Sequence, residues 1–325
     1  MNYMRFPNIK ILNTEPSRFS KKELIKLRNV ATIFDYESDR EYLINNIKKF
    51  DGILIGLKNK IDKNILKYAT NLKFIVTPTT GLNHIDLEVT SDKNIDIISL
   101  YGEEFFLKTL TATAELTWGI ILCLIRKINS AHLSVLKNQW DRDKFKGKEL
   151  NGLTLGIIGY GRLGSMVAKY GEAFNMKVII HDINPEIKSN FKKVDLNTLL
   201  SSSDVISLHI PLNESNYNFL NKELLYKLKK DSIFINTSRG EIIDEISLLN
   251  LLLSGRISGI GLDVLKDEFS SKKDWLKENE FRKYSEKGHN IVLTPHIGGL
   301  TKQSAEKANN FIIEKLEKYL VSKYK

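Results

Sequence analysis

What this chain has little of narrows it before any motif is read. Among its 325 residues there is 1 cysteine, Cys123. One thiol makes no internal disulfide, so no disulfide scaffold is expected, and a free thiol suits a reducing compartment. Cys123 lies in the apolar run Leu116 to Ile125, where a small core residue is the simplest reading. That run is the longest of its kind, too short to span a bilayer, and Arg126 and Lys127 follow it at once. Met1 to Lys10 has no apolar core and no small-residue cleavage site, so no secretory leader is expected. A cytoplasmic protein without a membrane partner is the expectation. His, Cys and carboxylates form no ligand-spaced cluster, so no metal site is expected.

The net charge is +10, yet there is no basic block and no zinc or RNP-type motif. Lysines are spread along the whole chain among acids, so nucleic acid is not an expected partner. A mild attraction for anionic metabolites is the more economical consequence. There is no internal repeat and no low-complexity tract. The 42% hydrophobic and 27% charged content is that of a folded globular chain, long enough for two ordinary domains.

What is present is a rhythm of short apolar runs and amphipathic stretches. Ile53-Leu54-Ile55 and Phe74-Ile75-Val76-Thr77 read as buried strands, with a helix predicted over 60–68 between them. That βαβ order predicts a parallel sheet. Thr79-Thr80-Gly81-Leu82-Asn83 follows the second strand, where ligand loops of open α/β sheets sit. A long helix is predicted from Thr111 through Lys127 and Ile128, capped by Thr111 or Thr113, with Glu115 in its first turn. A second series of strands follows at 155–159, 177–182, 204–209, 232–237, 257–264 and 290–295, with helices between most of them. This describes a doubly wound α/β sheet. The polar connection after Glu268 is expected to carry a short helix around Lys273–Leu276.

Gly159-Tyr160-Gly161-Arg162-Leu163-Gly164 is a G-x-G-x-x-G, a weak signal alone. Here a buried strand runs into it and a predicted helix, 165–174, runs out of it. Gly159 permits the tight turn, Gly161 lets the backbone approach a pyrophosphate, and Gly164 lets helix pack on strand. The helix N-terminus offers N–H groups to the phosphates. The next strand ends in Asp182, placed to accept hydrogen bonds from ribose hydroxyls and to repel a 2′-phosphate, which favours NAD over NADP.

Three later strand ends each deliver a chemically useful group: Arg239, Glu268 and His296. Singly, each reads as an ordinary turn residue. Downstream of a dinucleotide motif, at the carboxyl ends of buried strands, they suit carbonyl reduction. Arg239 can hold a carboxylate bidentately and polarise the neighbouring carbonyl. His296 can give a proton to the carbonyl oxygen and take it back in reverse. Glu268 can hydrogen-bond the imidazole and favour its charged form. His84, His132, His181 and His289 lack this placement and read as structural or surface residues; His209 reads as cofactor-side scaffolding.

The segments TLGIIGYGRLG (154–164), HIPLNES (209–215), INTSRGEIIDE (235–245), GLDVLKDE (261–268) and TPHIGG (294–299) resemble, in this order, the D-isomer-specific 2-hydroxyacid dehydrogenase family. The resemblance implies two doubly wound parallel-sheet domains, a Rossmann cofactor domain inserted in a flavodoxin-like substrate domain. Residues 1–108 and 300–325 would form the substrate domain, and 109–299 the NAD-binding domain, hinged to close over substrate. It implies Arg239, Glu268 and His296 as the catalytic set. Around NAD it implies Gly159, Gly161, Arg162, Leu163, Gly164, Asp182, Ile210, Pro211, Thr237, Ser238, Asp263, Gly298 and Gly299, with Asp263 facing the nicotinamide carboxamide. It implies that Thr80 and Gly81 present backbone N–H groups to the substrate carboxylate, and that the chain forms a homodimer. The helix from Thr113 and the arm at Trp140 are the expected interface.

The departures from the family pattern are Thr79 where Gly or Ser is more usual, Glu268-Phe269 in place of Glu-Pro, and the stretch 100–115. They leave the chemistry intact and the choice of acid open, a sugar-derived acid included. The alternative function is a non-enzymatic NAD-sensing scaffold on the same fold. Formate oxidation is disfavoured, since that variant replaces the glutamate partner of the histidine by glutamine.

Overall fold

The structure, a computed structural model, describes residues 5–266, 268 and 274–325. Asp267, Phe269 and Lys273, which figured in the motifs above, lie outside the described residues. The chain divides into two compact units, 1–109 with 300–325, and 110–299.

In the first unit, five parallel strands take the order β2-β1-β3-β4-β5, where β1 is Phe6–Asn13, β2 Ala31–Asp35, β3 Gly52–Leu54, β4 Phe74–Val76 and β5 Asp96–Ile98. β3 and β4 are buried at every position, as their unbroken apolar runs require when helices cover both faces of a sheet. The helix predicted over 60–68 is shorter, Lys63–Leu66. Asp62 caps it, and Ile61 is drawn instead into a parallel bridge with Ile85. The C-terminal helix, Lys302–Tyr324, packs back on this unit: Asn309 Nδ2 donates to Arg18 O at 3.1 Å, and Phe311 stacks on Phe106 at 4.1 Å.

In the second unit, seven parallel strands take the order β12-β11-β10-β9-β6-β7-β8. Here β6 is Thr154–Ile158, β7 Lys177–His181, β8 Lys192–Lys193, β9 Val205–Leu208, β10 Ile233–Asn236, β11 Gly259–Leu262 and β12 Ile291–Leu293. The order turns at β6, with β7 on one side and β9 on the other, which opens a crevice at their carboxyl ends. Two apolar clusters cover the two faces. Each fully buried Leu, Ile or Phe in them contributes about 1.5–3 kcal/mol.

The helix from Thr111 runs Ala112–Ile125. Its all-round apolar sequence follows from burial inside this unit, and at 14 residues it is shorter than the roughly 20 a membrane span requires. It stops before Lys127, whose left-handed φ of 54° breaks the expected continuation and starts a second helix, Ile128–Leu136. Neither threonine caps it through its side chain: Thr111 is the N-cap residue, but its hydroxyl donates to Glu115 instead. Cys123 is half-buried, and burial pushes its thiol up from the ordinary range. After β11 the described short helix is Trp275–Glu278, and a further one, Glu280–Glu286, leads to β12.

Candidate active site

The glycine-rich turn leaves β6 at the point where the strand order reverses. Gly159 has φ +89°, and a Cβ there would lie 2.7 Å from His209 O. A Cβ on Gly164 would lie 2.0 Å from Gly159 O, so the helix Arg162–Ala173 can seat on the turn only without one. At Gly161 a Cβ would meet nothing within 4 Å. That open side, at a helix N-terminus whose first amides lack internal acceptors, fits a pyrophosphate. Asp182, just past β7, accepts from Tyr160 N and Asn184 N, both at 2.8 Å. Its carboxylate is thus pinned beside the turn, where a ribose diol would reach its remaining lone pairs.

Arg162 turns back to donate to Leu110 O at 2.9 Å, and burial pushes its guanidinium below the usual range. Leu163 is half-buried, and Ile210 packs against the same turn, its Cγ2 being 2.7 Å from the position of a Gly159 Cβ. Pro211 is exposed beside it. The enclosed Nδ1 of His209 has no hydrogen-bond partner, while its Nε2 pairs with Ser207 Oγ at 2.8 Å. Burial pushes this imidazole down to about 3, so it is neutral scaffolding at physiological pH.

The turn after β10 is held from inside. The buried Asn236 donates from Nδ2 to Arg239 O at 2.8 Å and accepts from Ser238 N at 2.9 Å. Ser238 Oγ donates to Leu208 O at 2.7 Å, and Thr237 Oγ1 pairs with Thr117 Oγ1 at 3.0 Å. A Cβ on Gly240 would lie 2.2 Å from the backbone of Leu265 and Lys266, so glycine there lets the arginine turn press against the segment leading to Glu268. Burial lowers the affinity of Arg239 for its proton, and the nearby Glu268 and Glu241 charges oppose that shift.

Beyond β12, His296 Nδ1 pairs with Glu268 Oε1 at 2.9 Å. His296 is in the left-handed region, φ 51°, which non-glycine residues enter only under local constraint. Asp263 supplies that constraint. Its backbone O accepts from His296 N at 2.8 Å. Its carboxylate, 1% exposed, accepts from Thr294 Oγ1 at 2.6 Å, Ile297 N at 2.9 Å and Gly298 N at 2.7 Å. Burial raises the Asp263 carboxyl, opposed by these three donors and by the His296 charge. Asp263, expected toward nicotinamide, thus has most of its acceptor capacity committed to the histidine loop. A Cβ on Gly298 would fall 2.9 Å from Asp263 Oδ2, whereas Gly299 is open.

The second unit therefore brings Glu268 to His296 and places Arg239 within electrostatic reach of the same glutamate. In the first unit, Thr80 and Gly81 lie on the loop after β4. Their backbone N–H groups have no acceptor among the described residues. Sequence reasoning missed Asn236, Thr294 and Gly240, because what they do is set by the turns they hold or touch. His84, read as structural or surface, is buried at 1% exposed, next to the loop that carries Thr80 and Gly81.

A glycine-rich turn at the switch point of a doubly wound sheet, with an acid past the next strand and a His–Glu pair, is the arrangement of a dinucleotide-dependent oxidoreductase. Residues 118–298 match the family described as D-isomer specific 2-hydroxyacid dehydrogenase, NAD binding domain. The chain is 35% identical over 283 residues to a hydroxypyruvate reductase of Thermotoga maritima, covering 87% of this chain and 89% of that protein. It is 35% identical to a glyoxylate reductase of Thermofilum pendens, over 84% of this chain and 79% of that one. The D-lactate dehydrogenase of Aquifex aeolicus, solved with NAD and lactic acid, superposes with a TM-score of 0.82 at 29% identity, covering 96% of each chain. The chain belongs to the D-isomer-specific 2-hydroxyacid dehydrogenases: it is an NAD-dependent oxidoreductase acting on CH–OH donors.

Proposed function

We propose that this enzyme moves a hydride between NAD(H) and C2 of a small 2-hydroxy or 2-keto acid, of the kind its relatives are named for: hydroxypyruvate, glyoxylate or lactate. The observation that carries this reading is the 2.9 Å His296–Glu268 pair with Arg239 beside it. Bound NAD supplies the hydride chemistry. Arg239 holds the substrate carboxylate and polarises the adjacent carbonyl through its planar fork. The Thr80 and Gly81 amides, in the first unit, offer donors to a carboxylate. With Nδ1 engaged by Glu268, His296 gives a proton from Nε2 to the carbonyl oxygen during reduction and recovers it during oxidation. Glu268 keeps the ring oriented by engaging Nδ1 at 2.9 Å.

The proposed setting is cytoplasmic, with no nucleic-acid or membrane partner. The proposed assembly is a homodimer. The helix from Thr113 buries most of its apolar side chains inside its own unit. The side chains left for a second copy follow it: Ile128, Leu133 and Leu136 are exposed, and Trp140 is 89% exposed. Sedimentation as a monomer would remove that part.

The test of function is NADH oxidation with a panel of glyoxylate, pyruvate, hydroxypyruvate and sugar-derived 2-keto acids. Turnover of at least one is expected. NADH binding with no turnover across the panel would instead favour an NAD-sensing scaffold.

A further inference from the structure

The first unit contains a chain of hydroxyl groups that ends on the loop carrying Thr80 and Gly81. Thr79 Oγ1 donates to Gly81 O at 2.9 Å. Thr77 Oγ1, fully buried at the end of β4, lies 2.9 Å from Thr79 Oγ1. His84 Nε2 lies 3.5 Å from Thr77 Oγ1, a long contact. A hydroxyl has one proton to donate. That of Thr79 goes to a carbonyl, which can only accept, so Thr77 must donate to Thr79. The Thr77 proton is then spent, and the contact with His84 requires a proton on Nε2. The order of donation is therefore set along the whole chain, from imidazole to Thr77 to Thr79 to the Gly81 carbonyl.

This order matters because peptide groups are planar. Leu100 N donates to Thr79 O at 3.1 Å, which pins the plane of the Thr79–Thr80 peptide and turns the Thr80 N–H to the opposite side. The Thr79 hydroxyl pins the Gly81–Leu82 plane in the same way. The Thr80–Gly81 peptide, which carries the Gly81 N–H, is held between two fixed planes. Successive N–H groups with no internal acceptor form an anion-binding concavity only if their planes cannot rotate. Without the Thr79 hydroxyl, Gly81 is free to rotate its carbonyl, and glycine resists such rotation least of all residues.

We propose that Thr79 is a positioning and specificity-determining residue: its hydroxyl, oriented by Thr77 and His84, preorganises the Thr80 and Gly81 amides for the carboxylate of the substrate. This rests on the carboxylate role proposed above for those amides. It adds that three side chains linked to one another and to the Gly81 carbonyl govern how strongly a carboxylate is preferred over a neutral group.

The test compares wild type, Thr79→Val and Thr79→Ser. Each is assayed with whichever 2-keto acid of the panel above turns over fastest, and with the uncharged amide of that acid. Thr79→Val keeps the volume and removes the donor. The expected result is a fall of about tenfold in kcat/KM for the acid, carried mainly by KM, the size of one lost hydrogen bond. Turnover of the amide and binding of NADH should be unchanged, and Thr79→Ser should restore the acid. A general loosening of the fold would lower both substrates together, so an equal fall overturns the proposal. A Thr79→Val enzyme that keeps the wild-type preference for acid over amide also overturns it, while leaving the carboxylate reading intact. A wild type that turns over acid and amide alike, or no acid of the panel, removes the carboxylate reading and this proposal with it. Should Thr79→Val fail to fold, Thr77→Val keeps the Thr79 hydroxyl but removes the donor that orients it, and is judged by the same outcomes.

Discussion

At the scale of single residues, the site depends on groups whose neighbours decide what they do. His296 is tied through Nδ1 to Glu268 and sits in a left-handed conformation that its loop enforces. His296→Ala should lower turnover by roughly 10²–10⁴-fold, while NADH binding, followed by fluorescence titration, stays near wild type. Full activity in that variant would remove the acid–base role. Arg239→Lys keeps a positive charge but replaces a planar fork by a point charge. It should raise KM for the keto acid and lower kcat together, read from initial rates, and unchanged kinetics would place the carboxylate elsewhere. His296, Glu268 and Arg239 stood out in the sequence because each lies within a few residues of the carboxyl end of a buried apolar run. Their helpers did not. Asn236 and Gly240 look like any turn residues until the carbonyl that Asn236 binds and the backbone that Gly240 touches are known.

At the scale of elements, the loop 294–298 is held by Asp263 at the end of β11. Three donors converge on this buried carboxylate. In Asp263→Asn one of the two acceptor oxygens becomes an NH₂, which opposes an N–H or O–H donor directly. Charge-assisted bonds of this type contribute about 1.5–3 kcal/mol each. The variant should melt several degrees lower and lose at least tenfold in kcat through displacement of His296. Wild-type kcat with a lowered melting temperature would show that Asp263 supports the fold alone. The long helix beginning at Thr111 shows where element boundaries escape the sequence. Arg126 and Lys127 are ordinary helix formers, yet Lys127 turns left-handed and the chain restarts as Ile128–Leu136. Similarly, the two-residue β8 is a strand only because it pairs with β7, as Ile179 with Lys192 and Ile180 with Lys193.

At the scale of the whole molecule, the buried imidazole of His209 couples stability to pH. Its folded value is about 3, against 6.5 for an ordinary histidine. Above pH 6.5 it is neutral in both folded and unfolded states and contributes no pH dependence. Between 6.5 and 3 the unfolded chain takes up a proton that the folded one refuses. Stability from this group is therefore present above the unfolded value and lost on acidification, at about 1.4 kcal/mol per pH unit. Denaturant unfolding at pH 7, 6 and 5 should show a steeper loss for wild type than for His209→Gln, by about one proton. Parallel profiles would mean that the imidazole is solvated in the native state.

The sequence by itself determined the parallel α/β character, the glycine-rich turn after β6, the acid just past β7 and the family to which the chain belongs. Each of those rests on local signals: a buried strand, its outgoing turn and the residue that the turn presents are neighbours along the chain. Tertiary structure alone decided which strand ends meet. The β6 switch point, the approach of Gly240 to the 265–266 backbone and the grip of Asp263 on the histidine loop all join residues through space. Hydrogen bonds and close packing act over a few ångströms, and periodicity in a sequence carries no record of distances between segments that fold together from far apart.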